Sequence, residues 1–387
     1  MDFSISEELD EIRAAVRELC EGFPGEYWRE LEPDRFPEEF VHALTENGWL
    51  AALIPEEYGG AGLSITAASV IMEEINATGC NSGACHAQMY TMGTILRHGS
   101  EEQKERYLPK IAAGELRLQA FGVTEPTAGS DTTSIQTTAK LENGRYVVHG
   151  QKIWTSRALQ SDLMLLLART TPLEEVEKKT LGLSTFIVDM KQALADGKMT
   201  IRPIKTLMNH ATTEIFFDGV EVAEDALVGE EGLGFRYILD GMNAERILIA
   251  AETIGDGRWF TEKATAYASE REVFGRPIGQ NQGIQFPIAE AYAALEAADL
   301  MRYKAAWMFE QGKPCGAEAN MAKYLGAEAA WQAANACLDT HGGFGFAEEY
   351  DVERKFRETR LYKVAPVSNN LILAYLGQHV LGMPRSY

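Results

Sequence analysis

The apolar residues of this chain change their spacing twice. Up to about residue 115 the spacing is helical: Ile5, Leu9, Ile12, Val16 and Leu19 recur every three or four positions, with Ser4 or Ser6 placed to cap. Phe40, Leu44 and Trp49 continue the pattern after Pro37. Helices are expected over 66–77 and 88–98, and Ser100 is placed to cap another. From about 116 to 228 the residues alternate or are densely β-branched, at 137–141, 146–149, 164–168, 184–188 and 213–217, with Asn143-Gly144 as a hairpin dipeptide. Long helical runs return at 235–269, 285–311 and 315–338, and their shared apolar stripes predict a four-helix bundle. The expected fold class is therefore α+β. It comprises an N-terminal all-α domain over 1–117, a middle antiparallel β domain over 118–232 and a C-terminal bundle over 233–387.

A net charge of −21 argues against nucleic acid and against anionic membrane surfaces. It still allows an anionic ligand, provided that a local basic pocket receives it. Five scattered cysteines suggest neither a disulfide framework nor a zinc site, so no metal is expected and a reducing, cytoplasmic setting fits. The acidic start has no leader-like features, and no stretch is long and apolar enough for membrane insertion.

Four stretches carry candidate chemistry. In the first, Phe121 to Asp131, an apolar run breaks at Glu125-Pro126 and turns through Ala128-Gly129-Ser130. Thr124, Ser130 and several free amides could meet a flat, polar-edged heterocycle, although an ordinary turn uses the same residues. In the second, Gly150 to Ser156, Trp154 could flank such a ring and Ser156 could meet its edge; a core tryptophan is the alternative. In the third, Arg271 to Ile278 with Gln282, two arginines near Gly275 and Pro277 suit a pyrophosphate or simply end a helix. The fourth, His341 to Phe346, has glycines that allow backbone contact with a phosphate or ribityl chain, or a tight turn between helices.

The unbroken Thr-Glu-Pro-Thr-Ala-Gly-Ser-Asp run at 124–131 closely resembles the flavin-binding signature of the acyl-CoA dehydrogenase family. The other three stretches follow in that family's order, and the resemblance covers essentially the whole chain. It implies FAD as cofactor, contacted by Phe121, Val123, Thr124, Gly129, Ser130, Trp154, Thr155 and Ser156. The same resemblance assigns Arg271, Phe274, Gln282, Asp339, Gly342 and Gly343 to FAD, with the Arg271 stretch reaching the adenine end of a cofactor held by a neighbouring subunit. A homo-oligomer follows, a tetramer or a dimer. Asp339 stands where the family usually has glutamine, and Ser368 and Asn370 stand where a threonine and an amide bind flavin.

Most members of the family carry the catalytic base in a Tyr-Glu-Gly-Thr stretch. Here the run from Tyr362 to Asn370 puts Pro366 at that glutamate, which forbids a base there and also removes an amide that could bind the thioester oxygen. The Val367 amide or a ribityl hydroxyl is left to serve instead. Isovaleryl-CoA and long-chain acyl-CoA dehydrogenases carry their carboxylate on an earlier helix, and Asn243-Ala-Glu-Arg-Ile-Leu248 resembles that stretch. Glu245 is then the expected base, on a stripe with Met242, Ile249 and Glu252, with Asn243, Arg246 and Ser130 toward substrate. The implied function is α,β-desaturation of an acyl-CoA thioester, with electrons passed to an electron-transfer flavoprotein. The alternatives are a same-fold oxidase or monooxygenase on another substrate, and a catalytically silent flavoprotein scaffold.

Overall fold

The computed structural model describes residues 6–385. Ser4 and Ile5 lie outside the described residues; Ser6 caps the first helix by accepting from the Leu9 amide. In chain order the helices are α1 (Glu7–Glu21), α2 (Gly25–Glu30), α3 (Glu38–Glu46), α4 (Ile65–Ala77), α5 (Gly83–His98), α6 (Glu101–Ala112), α7 (Met190–Ala195), α8 (Gly234–Glu270), α9 (Gln282–Glu310), α10 (Gly316–His341), α11 (Val352–Thr359) and α12 (Asn369–Tyr375). The strands are β1 (Ala120–Gly122), β2 (Thr138–Glu142), β3 (Arg145–Ser156), β4 (Leu163–Arg169), β5 (Leu183–Asp189), β6 (Met199–Pro203), β7 (Thr212–Ala223), β8 (Leu227–Val228), β9 (Glu272–Val273) and β10 (Arg276–Pro277). The described residues pack as two compact units, one of 34–63 and 83–242, the other of 6–33, 64–82 and 243–385.

In the first unit, β1 to β8 form one sheet in the order β6-β7-β3-β2-β4-β5-β8, with β1 beside β4. Most pairs are antiparallel, as expected, but β1 and β2 both run parallel to β4. All seven residues of β4 are buried because both of its faces are covered. Met164, Leu166 and Ala168 join one apolar cluster with Phe186 and Val188. Leu163 and Leu165 join another with Met92, Ile95, Leu108 and Ile111 of α5 and α6. A strand covered on both faces reads as a continuous apolar run, which is why Leu163 to Ala168 does not alternate. Helix α5 begins five residues before the expected 88. Every residue from Gly83 to Met89 is buried, so no amphipathic stripe marks its first turns.

In the second unit, small residues let helices approach closely. A Cβ on Gly326 of α10 would lie 2.3 Å from Thr253 Oγ1 of α8. One on Gly255 of α8 would lie 2.2 Å from the Glu73 carbonyl oxygen of α4 and 2.8 Å from Asn76 Cβ. Since neither helix backbone can yield cheaply, Gly255→Ala is expected to destabilise by about 1–3 kcal/mol. Gly283→Ala, where the added methyl meets nothing within 4 Å, is the matched control in a denaturant melt. Three long helices, α8, α9 and α10, are completed by the short α11 and α12. Among the described residues, no helix is long and apolar enough to cross a membrane.

Candidate active site

In the β-containing unit the first stretch is fixed by one buried ion pair. After β1 the chain closes a turn in which the amides and carbonyls of Glu125 and Ala128 pair reciprocally. The Glu125 carboxylate accepts from Lys152 Nζ at 2.8 Å and from the amides of Gln136 and Thr137 at 2.6 and 2.9 Å. Lys152, wholly buried, also donates to the Val123 carbonyl at 3.0 Å. Burial pushes the Lys152 ammonium down to about 8, against the opposing pull of Glu125. Burial alone would raise Glu125, but the Lys152 charge and the hydrogen bonds outweigh it and hold the carboxyl below its ordinary value. With its turn so pinned, the stretch presents Gly129 and Ser130 exposed. Phe121 and Val123 are half-buried, with the Phe121 ring edge-on to Tyr90 at 5.4 Å. Thr124 accepts from the Ile153 amide, which ties the first stretch to the second.

That second stretch ends in a β-bulge. Ile153 pairs with Glu214 and Thr155 with Thr213, so Trp154 is left without a partner in the ladder. Its φ of +62° is rare for a bulky residue, and the bulge turns the indole outward to 58% exposure. A core tryptophan is thereby excluded, and a flat face is left available for stacking. Ser156 is half-buried, whereas Thr155 is buried with no hydrogen-bond partner for its hydroxyl among the described residues.

In the helical unit, Glu245 is buried at 4% exposure on α8. Asn243 and Arg246 are half-buried beside it, with Arg246 Nη1 donating to Asn243 Oδ1 at 3.2 Å. Burial lowers the Arg246 guanidinium from its ordinary value, and the charge of Glu245 opposes that. Ser368 spends one acceptor position on capping α12 through the Leu371 amide, and Asn370 is exposed.

Elsewhere in this unit a groove of about 630 Å³ opens between α8, the β9–β10 hairpin and the end of α10, lined by Tyr267, Arg271, Ile278, His341, Gly342 and Phe344 among others. The Arg271 guanidinium stands 5.8 Å from the centroid of the Phe344 ring. His341, stacked on Tyr267 at 4.1 Å, donates from Nδ1 to the Cys337 carbonyl. A Cβ at Gly342 or Gly343 would meet nothing within 4 Å, and Gly342 holds φ +56°, so bare backbone faces open space. Phe274 and Gly275 make the tip of the β9–β10 hairpin at φ +53° and +76°, and the Phe274 ring is wholly exposed. Gln282 begins α9 and Asp339 lies in the last turns of α10, both exposed.

Each unit has features that suit part of a dinucleotide flavin: in the first, an outward indole and an exposed Gly129-Ser130 turn suit a ring; in the second, an arginine beside bare glycine backbone suits a pyrophosphate. Two residues escaped the sequence reading. Lys152 and Glu125 sit inside the two stretches that the sequence resemblance assigns to flavin, and their opposite charges were the available signal. Among the described residues, no cluster of His, Cys, Asp or Glu could hold a metal ion.

Three descriptions match the chain: "Acyl-CoA dehydrogenase, N-terminal domain" over 6–115, the middle domain over 120–220 and the C-terminal domain over 232–380. The acyl-CoA dehydrogenase FadE12 of Mycobacterium tuberculosis is 35% identical over 392 residues, covering 100% of this chain and 99% of that protein. Glutaryl-CoA dehydrogenase of Desulfococcus multivorans is 34% identical over 399 residues, covering 100% of both. Among solved structures, the glutaryl-coenzyme A dehydrogenase glutaryl-CoA complex superposes with a TM-score of 0.91 at 32% identity, covering 100% of this chain and 98% of that one. The chain belongs to the acyl-CoA dehydrogenase family, FAD flavoproteins that are oxidoreductases acting on CH–CH groups.

Proposed function

We propose that this protein desaturates an acyl-CoA thioester between its α and β carbons, with Glu245 as the base that takes the α proton. The observation that carries this reading is a buried carboxylate on α8, next to Arg246, in a chain whose other family position for a base is Pro366. A carboxylate withdrawn from water is suited to proton abstraction from a weakly acidic carbon. FAD, when bound, supplies the acceptor for the β hydrogen, which leaves as hydride. The α C–H and β C–H bonds break, a C=C bond forms, and Glu245 keeps the proton. Negative charge that develops on the thioester oxygen needs a donor, and the Val367 amide is the nearest replacement along the chain for the one missing at Pro366. By the family resemblance, Asn243 and Arg246 would orient the substrate, and Ser130 is assigned to it as well.

Phe121, Val123, Thr124, Gly129, Ser130, Trp154, Thr155 and Ser156 would hold the flavin, and the family resemblance assigns Ser368 and Asn370 to flavin as well. Arg271, Phe274, Gln282, Asp339, Gly342 and Gly343 would take the pyrophosphate and adenosine half of FAD carried by another copy of the chain. The family resemblance supports an electron-transfer flavoprotein as electron acceptor. The reading is tested by incubating the FAD-loaded protein with saturated acyl-CoAs, one at a time, and an electron-accepting dye. A product two mass units lighter with a conjugated enoyl absorbance is expected from at least one thioester. No enoyl product from any thioester rejects the reading, and peroxide formed with oxygen as sole acceptor favours an oxidase.

Self-association is supported by an apolar line on α9: Phe286, Leu300 and Trp307, each more than half exposed, recur at multiples of seven residues. Sedimentation should give a mass of two or four times 42.8 kDa. Leu300→Asp with Trp307→Asp should shift it toward one, with loss of FAD.

A further inference from the structure

We propose that Lys323 is a positioning residue of the reaction, holding the Val367–Asn369 segment so that the Val367 amide keeps a fixed aim. This rests on the desaturation reading above. Lys323 is on α10 and is wholly buried. Its Nζ donates to the Val367 carbonyl at 2.8 Å and to Asn369 Oδ1 at 2.9 Å. The same segment is tied to α10 a second time: Glu328 accepts from Asn369 Nδ2 and from Lys363 Nζ, each at 2.7 Å. Four side chains thus clamp the loop that carries Pro366, from both of its ends. Most of that loop has no regular structure of its own, and Pro366 cannot donate a backbone bond. The clamp supplies what secondary structure does not.

A buried ammonium is an expensive anchor, and a neutral primary amide could donate the same two hydrogen bonds. What the ammonium adds is charge. The groups that act on it are Arg246 and Glu245 from α8, Glu328 from its own helix and Lys363 from the segment before Pro366. Burial is the largest effect and Arg246 adds to it; Glu328 and Glu245 oppose them, and the ammonium is left at about 7. Its positive charge is therefore held where it interacts with the carboxylate proposed as base, on the segment whose amide is proposed as oxyanion donor, and is lost as pH rises through about 7.

The test compares the FAD-loaded wild type, Lys323→Met and Glu245→Gln. In Lys323→Met, hydrogen exchange of the Val367 and Ser368 amides should quicken. Flavin reduction at saturating acyl-CoA should slow by roughly 10²-fold, the size expected of a misplaced catalytic donor. KM should stay within about threefold, since substrate binding rests on other residues. In the wild type, the second-order rate constant for reduction should fall as pH rises above about 7, where this group loses its proton. Lys323→Met should lack that limb. Unchanged exchange with an unchanged pH profile overturns the proposal. The wild-type limb needs no variant, so its absence overturns the proposal even where Lys323→Met does not fold. Retained reduction in Glu245→Gln instead rejects the underlying reading; reduction lost there but kept in Lys323→Met rejects only this one.

Discussion

Glu245→Gln should lose flavin bleaching by acyl-CoA by roughly 10²–10⁴-fold, the range seen when a positioned base is removed. The substitution keeps the size and polarity of a side chain that is buried at 4% exposure on α8, so packing against its neighbours survives. Glutamine cannot accept the α proton at neutral pH. None of the residues proposed to hold FAD is touched, so FAD content, read from the ratio of flavin to protein absorbance, should match the wild type. A rate loss with retained FAD places the defect in chemistry. Loss of both would show a structural role, and retained bleaching would reject Glu245 as base. No carboxylate elsewhere takes its place by the family pattern, because Pro366 occupies the other position.

Breaking the Glu125–Lys152 pair should be the most damaging substitution for stability. Glu125→Ala leaves a fully buried ammonium with one carbonyl partner and leaves the Gln136 and Thr137 amides without their acceptor. Removing one member of a buried pair costs about 3–5 kcal/mol. Replacing both, as Glu125→Gln with Lys152→Met, should cost less than the sum of the single changes, because no uncompensated charge stays inside. The pair also sets a pH dependence. Folded Glu125 is held below its ordinary 4.5, so its contribution is complete above that value and is lost as pH falls through the lower, folded one. Acid titration of a denaturant midpoint should therefore show a shallower low-pH decline for Glu125→Ala than for the wild type.

Local signals were legible in the sequence wherever neighbours along the chain decide the structure. Asn143 and Gly144 adopt φ +51° and +78°, the left-handed turn that their dipeptide announces. Ser100 caps α6 with Gln103 completing a capping box. The three long helices of the C-terminal half differ from the expected runs by only a few residues at either end. Less legible was whatever depends on distant partners. β6 was missed because a short edge strand, exposed at three of five positions, carries little apolar pattern. β3 and β7 each run to 12 residues because they pair with each other across two register shifts, which no local window reports.

The site divides along the same line. The two stretches proposed to hold flavin stand out by their residues, yet the outward turn of Trp154 depends on a bulge fixed by β7. The Lys152–Glu125 bond joins positions 27 residues apart, and the Lys323–Asn369 bond joins positions 46 apart. A lysine inside a helical or strand pattern reads as a solvated charge until its partner is located.

Isotope exchange at the α carbon isolates the step assigned to Glu245. The anaerobic FAD-loaded protein is incubated in deuterium oxide with an acyl-CoA that bleaches it, and deuterium at the thioester α position is followed by mass. The wild type should incorporate it, and Glu245→Gln with full FAD content should not. Incorporation by that variant at the wild-type rate would mean that another group removes the proton.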